Sequence, residues 1–379
     1  MASVTERINQ IKQPYGGYVK PSLLHAVQLP INEELSLNEN IHGSIVGLAV
    51  DYLTRLMLGD DVEHAFKTSL EGLRLARNFK LDISEKELIN LVMIKDLNDD
   101  SIFNACRLAY FDVWIRNPFN AFSSSFREVN PDKETINNIR IMVERNLHIF
   151  KLCGGVKAKG FTFEGGGYTN LVDSGDGDFI ADDTLWDIKT IKSKPTNKHT
   201  LQLLMYWIMG KHSNQSIFNN INCIGIFNPR YNIVYKLKVS DIPEEVIKEV
   251  EDNVIGYKEN TYTPFVEASR FNKVDVMKSI YFGKGIYPID YIMAVKYAVM
   301  DKSYKALKWL VSDVNVEHEI LIDGLVNIVF VSNDIKAITI LLNCSNEYLI
   351  DEVRSKALKV ANEYKSTKAS QYILSRFKR

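Results

Sequence analysis

Residues 178–189, DFIADDTLWDIK, admit few folds, because their apolar and charged positions fall into a pattern that suits a tight β-hairpin. With the tip at Asp182 and Asp183, Ala181 faces Thr184, Ile180 faces Leu185, Phe179 faces Trp186, and Asp178 faces Asp187. Strand side chains alternate, so Asp187 and Lys189 share one face while Trp186 and Ile188 point to the other, with Phe179 beside Trp186 as a cross-strand aromatic pair. A slip of one residue would carry the charges into the apolar layer, which holds the register in place.

That register has an electrostatic cost. Directly opposed residues bring Cβ atoms to roughly 4.5–5.5 Å, so two ionised aspartates at 178 and 187 repel. A hard divalent cation removes the penalty: Mg²⁺, with Mn²⁺ as the alternative, is commonly held by one or two carboxylates together with waters and phosphate oxygens. Lys189, one strand repeat beyond Asp187, is placed to orient or deprotonate an attacking water, or to neutralise charge developing on a phosphate. The expected chemistry is metal-assisted phosphodiester hydrolysis. A plain polar turn explains Asp182 and Asp183, whose residue type suits tight loops, but not Asp178, Asp187 and Lys189 on one face. A calcium-binding EF-hand loop does not fit, because Ile180 and Ala181 stand where a ligand and a glycine are required.

The flanking sequence reads as helices around a small sheet. From Ser44, a candidate N-cap, Ile45, Leu48, Ala49, Tyr52, Leu53 and Leu56 recur at helical spacing, and further helical patterns follow near 62–78, 84–96, 99–115 and 132–152. After FEGGGYTN, read as a flexible loop covering the site, come the short β-rich runs YTNLV, DFIA and TLWDIKTI. The apolar helix HTLQLLMYWIMG follows, then the strands NCIGIF and YNIVYKLKV about an NPR turn, and IPEEVIKEVEDNVIGY closes the unit near 258. The fold class expected is α/β or α+β. Residues 1–40 are read as an irregular or partly helical arm.

Beyond 262 the pattern changes. DVMKSI (275–280), KALKWL (305–310), KAITIL (336–341) and KASQYI (368–373) align at intervals of 30, 31 and 32 residues, each after a polar turn. Helix-turn-helix units of this length are similar to ankyrin repeats, with the TPLH signature reduced to Thr263, Pro264 and Phe265 in one copy. The alternative is a plain helical bundle.

At this point the motifs carry a resemblance. Asp178 and the Asp187-Ile188-Lys189 triplet nine residues later resemble the motif of the PD-(D/E)xK nuclease superfamily. Gly175 to Asp178, the DIK triplet, and Gln202 to Tyr206 are similar, in order, to the GxxD, (D/E)xK and QxxxY motifs of its RecB-like and lambda-exonuclease-like branch. The resemblance covers about 45–258 and implies a restriction-endonuclease-like core for the domain expected over 41–258; it does not reach residues 262–379, where the all-α ankyrin-like module is expected from the intervals alone. It further implies that Asp178, Asp187 and the Ile188 carbonyl bind metal, that Lys189 is the catalytic lysine, and that Gln202 and Tyr206 face the site. Asp51, four residues after Gly47, fits the place of an upstream histidine of that branch and is a candidate metal ligand. Its alternative is a helix-surface pair with Arg55. One or two ions are both compatible with this set.

The remaining constraints are negative or local. The net charge of −1 excludes a wholesale nucleic-acid-coating protein and leaves any polyanion contact to a local patch, for which Lys192, Lys194 and Lys198, with His199, are the candidates. Cys106, Cys153, Cys223 and Cys344 form no CxxC pair, as suits reduced thiols, and no targeting segment or long apolar run is seen, so the expected location is the cytoplasm with no membrane contact. No HExxH and no Walker-type GxxxxGK[ST] occurs, which argues against a zinc hydrolase and against an ATP-driven motor. Two functions remain: a nuclease acting on nucleic acid, DNA first, whose C-terminal repeats bind a partner or regulate access, or a non-catalytic nucleic-acid-binding or protein-interaction scaffold built on a similar core.

Overall fold

The computed structural model describes residues 2–377 except 80, 117–124, 214, 259–261, 315–323, 325, 331, 344–352, 360 and 362–367. Among the described residues eight strands are formed: β1 (Ala2–Ser3), β2 (His25–Gln28), β3 (Val156–Phe161), β4 (Val172–Ser174), β5 (Gly177–Ala181), β6 (Thr184–Ile188), β7 (Cys223–Asn228) and β8 (Ile233–Lys238). Six of them build one mixed sheet in the order β2-β8-β7-β6-β5-β3, in which only β6 and β7 run parallel. The other two, β1 and β4, form a short parallel pair.

The first third is helical: α1 (Val4–Gln10), α2 (Gly43–Met57), α3 (Val62–Ala65), α4 (Lys67–Asn78), α5 (Glu85–Val92), α6 (Asp99–Ala109), α7 (Val113–Arg116) and α8 (Lys133–Leu152). Then come α9 (Asn197–His212) and α10 (Glu244–Glu249), the latter continuing as a π-helix over Val250–Ile255. The helix expected to be capped by Ser44 begins two residues earlier, with His42 as its cap: His42 Nδ1 accepts from Ser44 N at 3.2 Å. This answers the exposed backbone donors of the first turn.

The sheet is covered on both faces, which is why its central strands are apolar throughout. On one face Ile180, Leu185, Ile224 and Ile226 pack against Leu201, Leu204 and Met205 of α9. On the other, Phe179, Trp186 and Phe227 pack against Ile149 and Phe150 of α8, the rings of Phe150 and Phe179 lying 4.6 Å apart. The expected hairpin register is the observed one: Phe179 pairs with Trp186, Ile180 with Leu185 and Ala181 with Thr184, and Asp182 takes the left-handed conformation (φ 53°) at the tip.

Two elements depart from the sequence expectation. Residues 1–40, expected as an irregular or partly helical arm, hold the helix α1 but are also packed in: β2 pairs along β8 at the sheet edge, and Val4 and Ile8 of α1 are buried in the α9 core. The run VKAKGF, not expected as a strand, forms β3 on the opposite edge. Cys106, Cys153 and Cys223 are free thiols, and Cys344 lies outside the described residues. Among the described residues no helix is long and apolar enough to cross a membrane.

The C-terminal third has its own core, drawn from residues 265–373. Its helices are α11 (Pro264–Arg270), α12 (Val274–Lys284), α13 (Pro288–Met300), α14 (Tyr304–Asp313), α15 (Ile335–Leu342) and α16 (Lys368–Phe377). Three turns between helices repeat one device, a left-handed residue at Asn272 (φ 57°), Lys302 (φ 51°) and Asn333 (φ 54°). After two of them the next residue caps the preceding helix, Lys273 N donating to Ala268 O and Ser303 N to Ala298 O, both at 2.8 Å.

FEGGGYTN is held rather than loose. The buried Asp301 carboxylate accepts from Gly165 N and Gly166 N, both at 3.2 Å, and pairs with Arg270 at 2.8 Å, while Arg270 also donates to Tyr168 O at 2.8 Å. Gly166 sits at φ 128° with its Cα so close to the His212 carbonyl that a Cβ would lie 2.4 Å from that oxygen, so only glycine fits.

Candidate functional site

The hairpin ends where its carboxylates begin. Beyond the last ladder pair, Ile188 N donates to Asp178 Oδ2 at 2.9 Å instead of to a backbone carbonyl, which ties the two strands through a side chain. In an extended strand the N–H and C=O of one residue point the same way, so the Ile188 carbonyl falls on the Asp178 side as well. On the other edge of β6, Lys189 N donates to Phe227 O at 3.0 Å and holds the strand end to β7.

Asp187 is 2 % exposed. Lys189 Nζ lies 2.9 Å from both of its carboxylate oxygens, but hydrogen-bond geometry is met only at Oδ1, leaving Oδ2 a buried acceptor without a hydrogen bond. Burial, and then the charge of Asp187, pushes Asp178 up to about 6, and burial pushes Asp187 up as well. Burial pulls the Lys189 ammonium down, but the carboxylates at 187, 178 and 51 outweigh it and hold the group above the ordinary lysine value. Lys189 is therefore a cation bonded to Asp187, and the Arg55 guanidinium lies 3.9 Å from Asp178, so burial raises the two aspartates in spite of the positive charge beside them.

The helix pair Gln202 and Tyr206 lies on α9, which packs on the sheet. Gln202 Nε2 donates to the Tyr206 hydroxyl at 3.2 Å, and the Tyr206 ring, 5 % exposed, stacks on Phe163 with centroids 5.3 Å apart. Burial pushes the Tyr206 hydroxyl up, helped by the charges of Asp187 and Asp178, which places the phenol within their field.

Asp51 sits on α2, and its carboxylate is taken by Arg55: Nε donates at 3.0 Å to Oδ1 and Nη2 at 2.8 Å to Oδ2. The same Nη2 is 3.9 Å from Asp178 Oδ1. Burial pushes Asp51 up to about 6 despite that partner. The structure thus links Asp51 to Asp178 through a guanidinium, which is the pairing alternative and not a direct ligand arrangement. Among the described residues no group of three or more His, Cys, Asp or Glu side chains is arranged to hold a metal. Gly47 has its own reason: a Cβ there would meet Thr190 Oγ1 at 3.0 Å, so α2 packs against the segment that follows Lys189.

Of the basic residues, Lys192, Lys194 and Lys198 are all exposed. Lys192 approaches Glu39 at 3.9 Å and Lys198 donates to Asn9 Oδ1 at 2.7 Å. His199 is not part of a basic patch. Its Nδ1 accepts from Thr196 N at 3.1 Å in a capping box, and burial together with the Lys189 charge lowers it to about 4, so it is neutral.

Two residues were not singled out from sequence. Arg55 was seen only as a partner of Asp51, and its reach to Asp178 depends on how α2 crosses the sheet. Arg230 donates to Thr190 O at 3.0 Å and forks onto Glu39 at 2.7 and 3.0 Å, which anchors the segment after Lys189; nothing in NPR marks it beyond a turn.

The donor set fits a hard cation of the Mg²⁺ type, on the strength of two converging carboxylates and the orphaned Asp187 Oδ2, since such ions take one or two carboxylates and complete their shell with water. Compared with protein-family models, curated proteins and solved structures, the chain shows no significant match.

Proposed function

We propose that the protein is a divalent-metal-dependent phosphodiesterase acting on nucleic acid, DNA first, with a PD-(D/E)xK-type site on a restriction-endonuclease-like core and a C-terminal ankyrin-like module. The observation that carries this reading is the convergence of Asp178, Asp187 and Lys189 at the open end of the hairpin, with Ile188 bonded to Asp178.

Asp178, Asp187 and the Ile188 carbonyl would hold the ion, and Asp51 serves as the counter-charge of Arg55. When bound, the ion supplies Lewis-acid stabilisation of charge on the phosphate. Lys189, kept protonated by its neighbours, acts as a fixed donor to the reacting phosphate and not as the base. Arg55, desolvated beside Asp178, offers a second positive group to the same anion. Tyr206 and Gln202 close the site from α9 and limit water beside the carboxylates.

The test is cleavage of linear duplex, circular and single-stranded DNA, and of RNA, with Mg²⁺, Mn²⁺ or EDTA. Asp187→Asn and Lys189→Ala should each lower the rate at least about a hundredfold with the circular dichroism spectrum unchanged. Cleavage unaffected by either change would remove this site from consideration.

The scaffold reading keeps one observation in its favour: the Arg55 guanidinium already supplies positive charge next to Asp178 and Asp51. Nucleic-acid binding without cleavage on any substrate, with no stabilisation by Mg²⁺ or Mn²⁺, would favour it.

A further inference from the structure

The helix pairs of the C-terminal region bring lysines into register. Lys305, Lys336 and Lys368 occupy one position of three successive units, at intervals of 31 and 32 residues, and all three are exposed. Lys278 and Lys308 share a second equivalent position, three residues further along the helix in the case of Lys308. Between these positions the residues turn inward: Ala306, Leu307 and Leu310, then Ala337, Ile338 and Leu341, are buried in the common core. The lysines are left on the outer side of helices that pack in succession, α12 on α14, α14 on α15 and α15 on α16.

The turns fix the ladder from unit to unit. Asn272 Oδ1 accepts from Ala306 N, and Asn333 Oδ1 accepts from Ala369 N, both at 2.9 Å. Each bond clamps one unit's turn to the start of the next inner helix, beside Lys305 and Lys368. Between α12 and α14 lies a groove of about 610 Å³ lined by Lys273, Lys278, Lys305 and Lys308, with Trp309 also in its wall and two carboxylates, Asp275 and Asp313. Lys278, Lys305, Lys308 and Lys368 make no ion pair among the described residues. The near-zero net charge conceals this asymmetry: residues 262–379 hold 17 Lys and Arg against 13 Asp and Glu, while residues 1–261 hold 29 against 34.

We propose that this lysine ladder is a second nucleic-acid surface, separate from the cleavage site, along which a phosphate backbone lies. Packed helices stand about 8–10 Å apart, so one ammonium per unit presents evenly spaced point charges. A phosphate backbone is itself an evenly charged polymer, and such contacts position it without reading sequence. An acidic protein segment matches less well, because it would draw on apolar anchors and Trp309 is 5 % exposed. The choice of nucleic acid as the polyanion rests on the phosphodiesterase reading.

The experiment is fluorescence anisotropy of labelled duplex and single-stranded oligonucleotides with the full chain in EDTA at several salt concentrations. The Lys278→Gln/Lys305→Gln/Lys308→Gln variant, shown to be folded by circular dichroism, should bind at least about tenfold more weakly, and its plot of log affinity against log salt should be flatter by about two to three. Unchanged affinity and slope overturn the proposal, as does binding of polyglutamate in place of the oligonucleotide, or no binding by the wild type. If wild type and variant differ as expected but no substrate is cut with Mg²⁺, the ladder stands and the phosphodiesterase reading falls. If cleavage occurs while the triple variant binds normally, the reverse holds.

Discussion

Arg55 Nη2 stands 2.8 Å from Asp51 Oδ2 and 3.9 Å from Asp178 Oδ1, so one guanidinium serves a helix carboxylate and a hairpin carboxylate at once. The Arg55 and Asp51 side chains are only 15 % and 20 % exposed, which puts the pair where removing one member strands the other. Such a loss costs about 3–5 kcal/mol, against less than about 1 kcal/mol for a surface pair. Arg55→Met should therefore lower Tm by several degrees, and adding Asp51→Asn in the same chain should recover part of the loss. Thermal melts of both variants and of the Asp51→Asn single variant complete the cycle. A near-silent Arg55→Met would show that the guanidinium is effectively solvated.

The raised carboxylates make a prediction with a definite sign. Asp178 titrates at about 6 in the folded chain against an ordinary value of 3.8. Below 3.8 both folded and unfolded forms are protonated and the group contributes nothing to stability. As pH rises from there to about 6 the unfolded chain loses its proton first, so the folded state is progressively destabilised, and the full penalty is present above about 6. Asp178→Asn keeps an acceptor for Ile188 N and removes the charge. In EDTA it should melt above the wild type at pH 7, with the difference fading toward pH 4, and Mg²⁺ should raise the wild-type Tm at pH 7 but not that of the variant. A variant less stable than wild type at pH 7 would contradict the assignment.

How much of this was legible follows from where each signal resides. The hairpin register could be read because Phe179, Ile180, Leu185 and Trp186 alternate against two covered faces, so any slip exposes apolar area. The edge strands could not: every residue of His25–Gln28 is exposed, and VKAKGF mixes lysines with small residues, so neither shows a buried face. The regular intervals of the C-terminal third could be read, and the left-handed turn residues Asn272, Lys302 and Asn333 fall at spacings of 30 and 31 residues that match the first two of them. The contacts that complete the site are long-range. Asp301 meets Gly165 across 136 residues of chain, and no local pattern encodes such a pairing.

That long-range contact ties the C-terminal region to the site. Asp301 and Arg270 hold the glycine loop and the Tyr168 carbonyl, and the Tyr168 hydroxyl donates to Gly175 O at 3.1 Å, three residues before Asp178. With Arg270 and Asp301 side chains 5 % and 0 % exposed, Asp301→Asn leaves a buried guanidinium short of charge and should cost about 3–5 kcal/mol. It should also raise backbone hydrogen exchange over 163–178 and lower cleavage. Unchanged exchange there would mean that the repeats are docked on the loop without bracing it.

Tyr206 separates packing from chemistry on α9. Its ring stacks on Phe163, and its hydroxyl accepts from Gln202, whose half-buried amide can turn to water if that partner is lost. Tyr206→Phe retains the stack and removes one hydrogen bond, so stability should fall by only about 1 kcal/mol. The hydroxyl lies in the field of Asp178 and Asp187, where a donor can steady an anionic substrate that water would otherwise solvate. Cleavage by Tyr206→Phe should drop at least about tenfold while Tm shifts by no more than a few degrees. Full activity with an unchanged melt would reduce the Gln202 and Tyr206 pair to the polar edge of a core helix, and the site would rest on the hairpin alone.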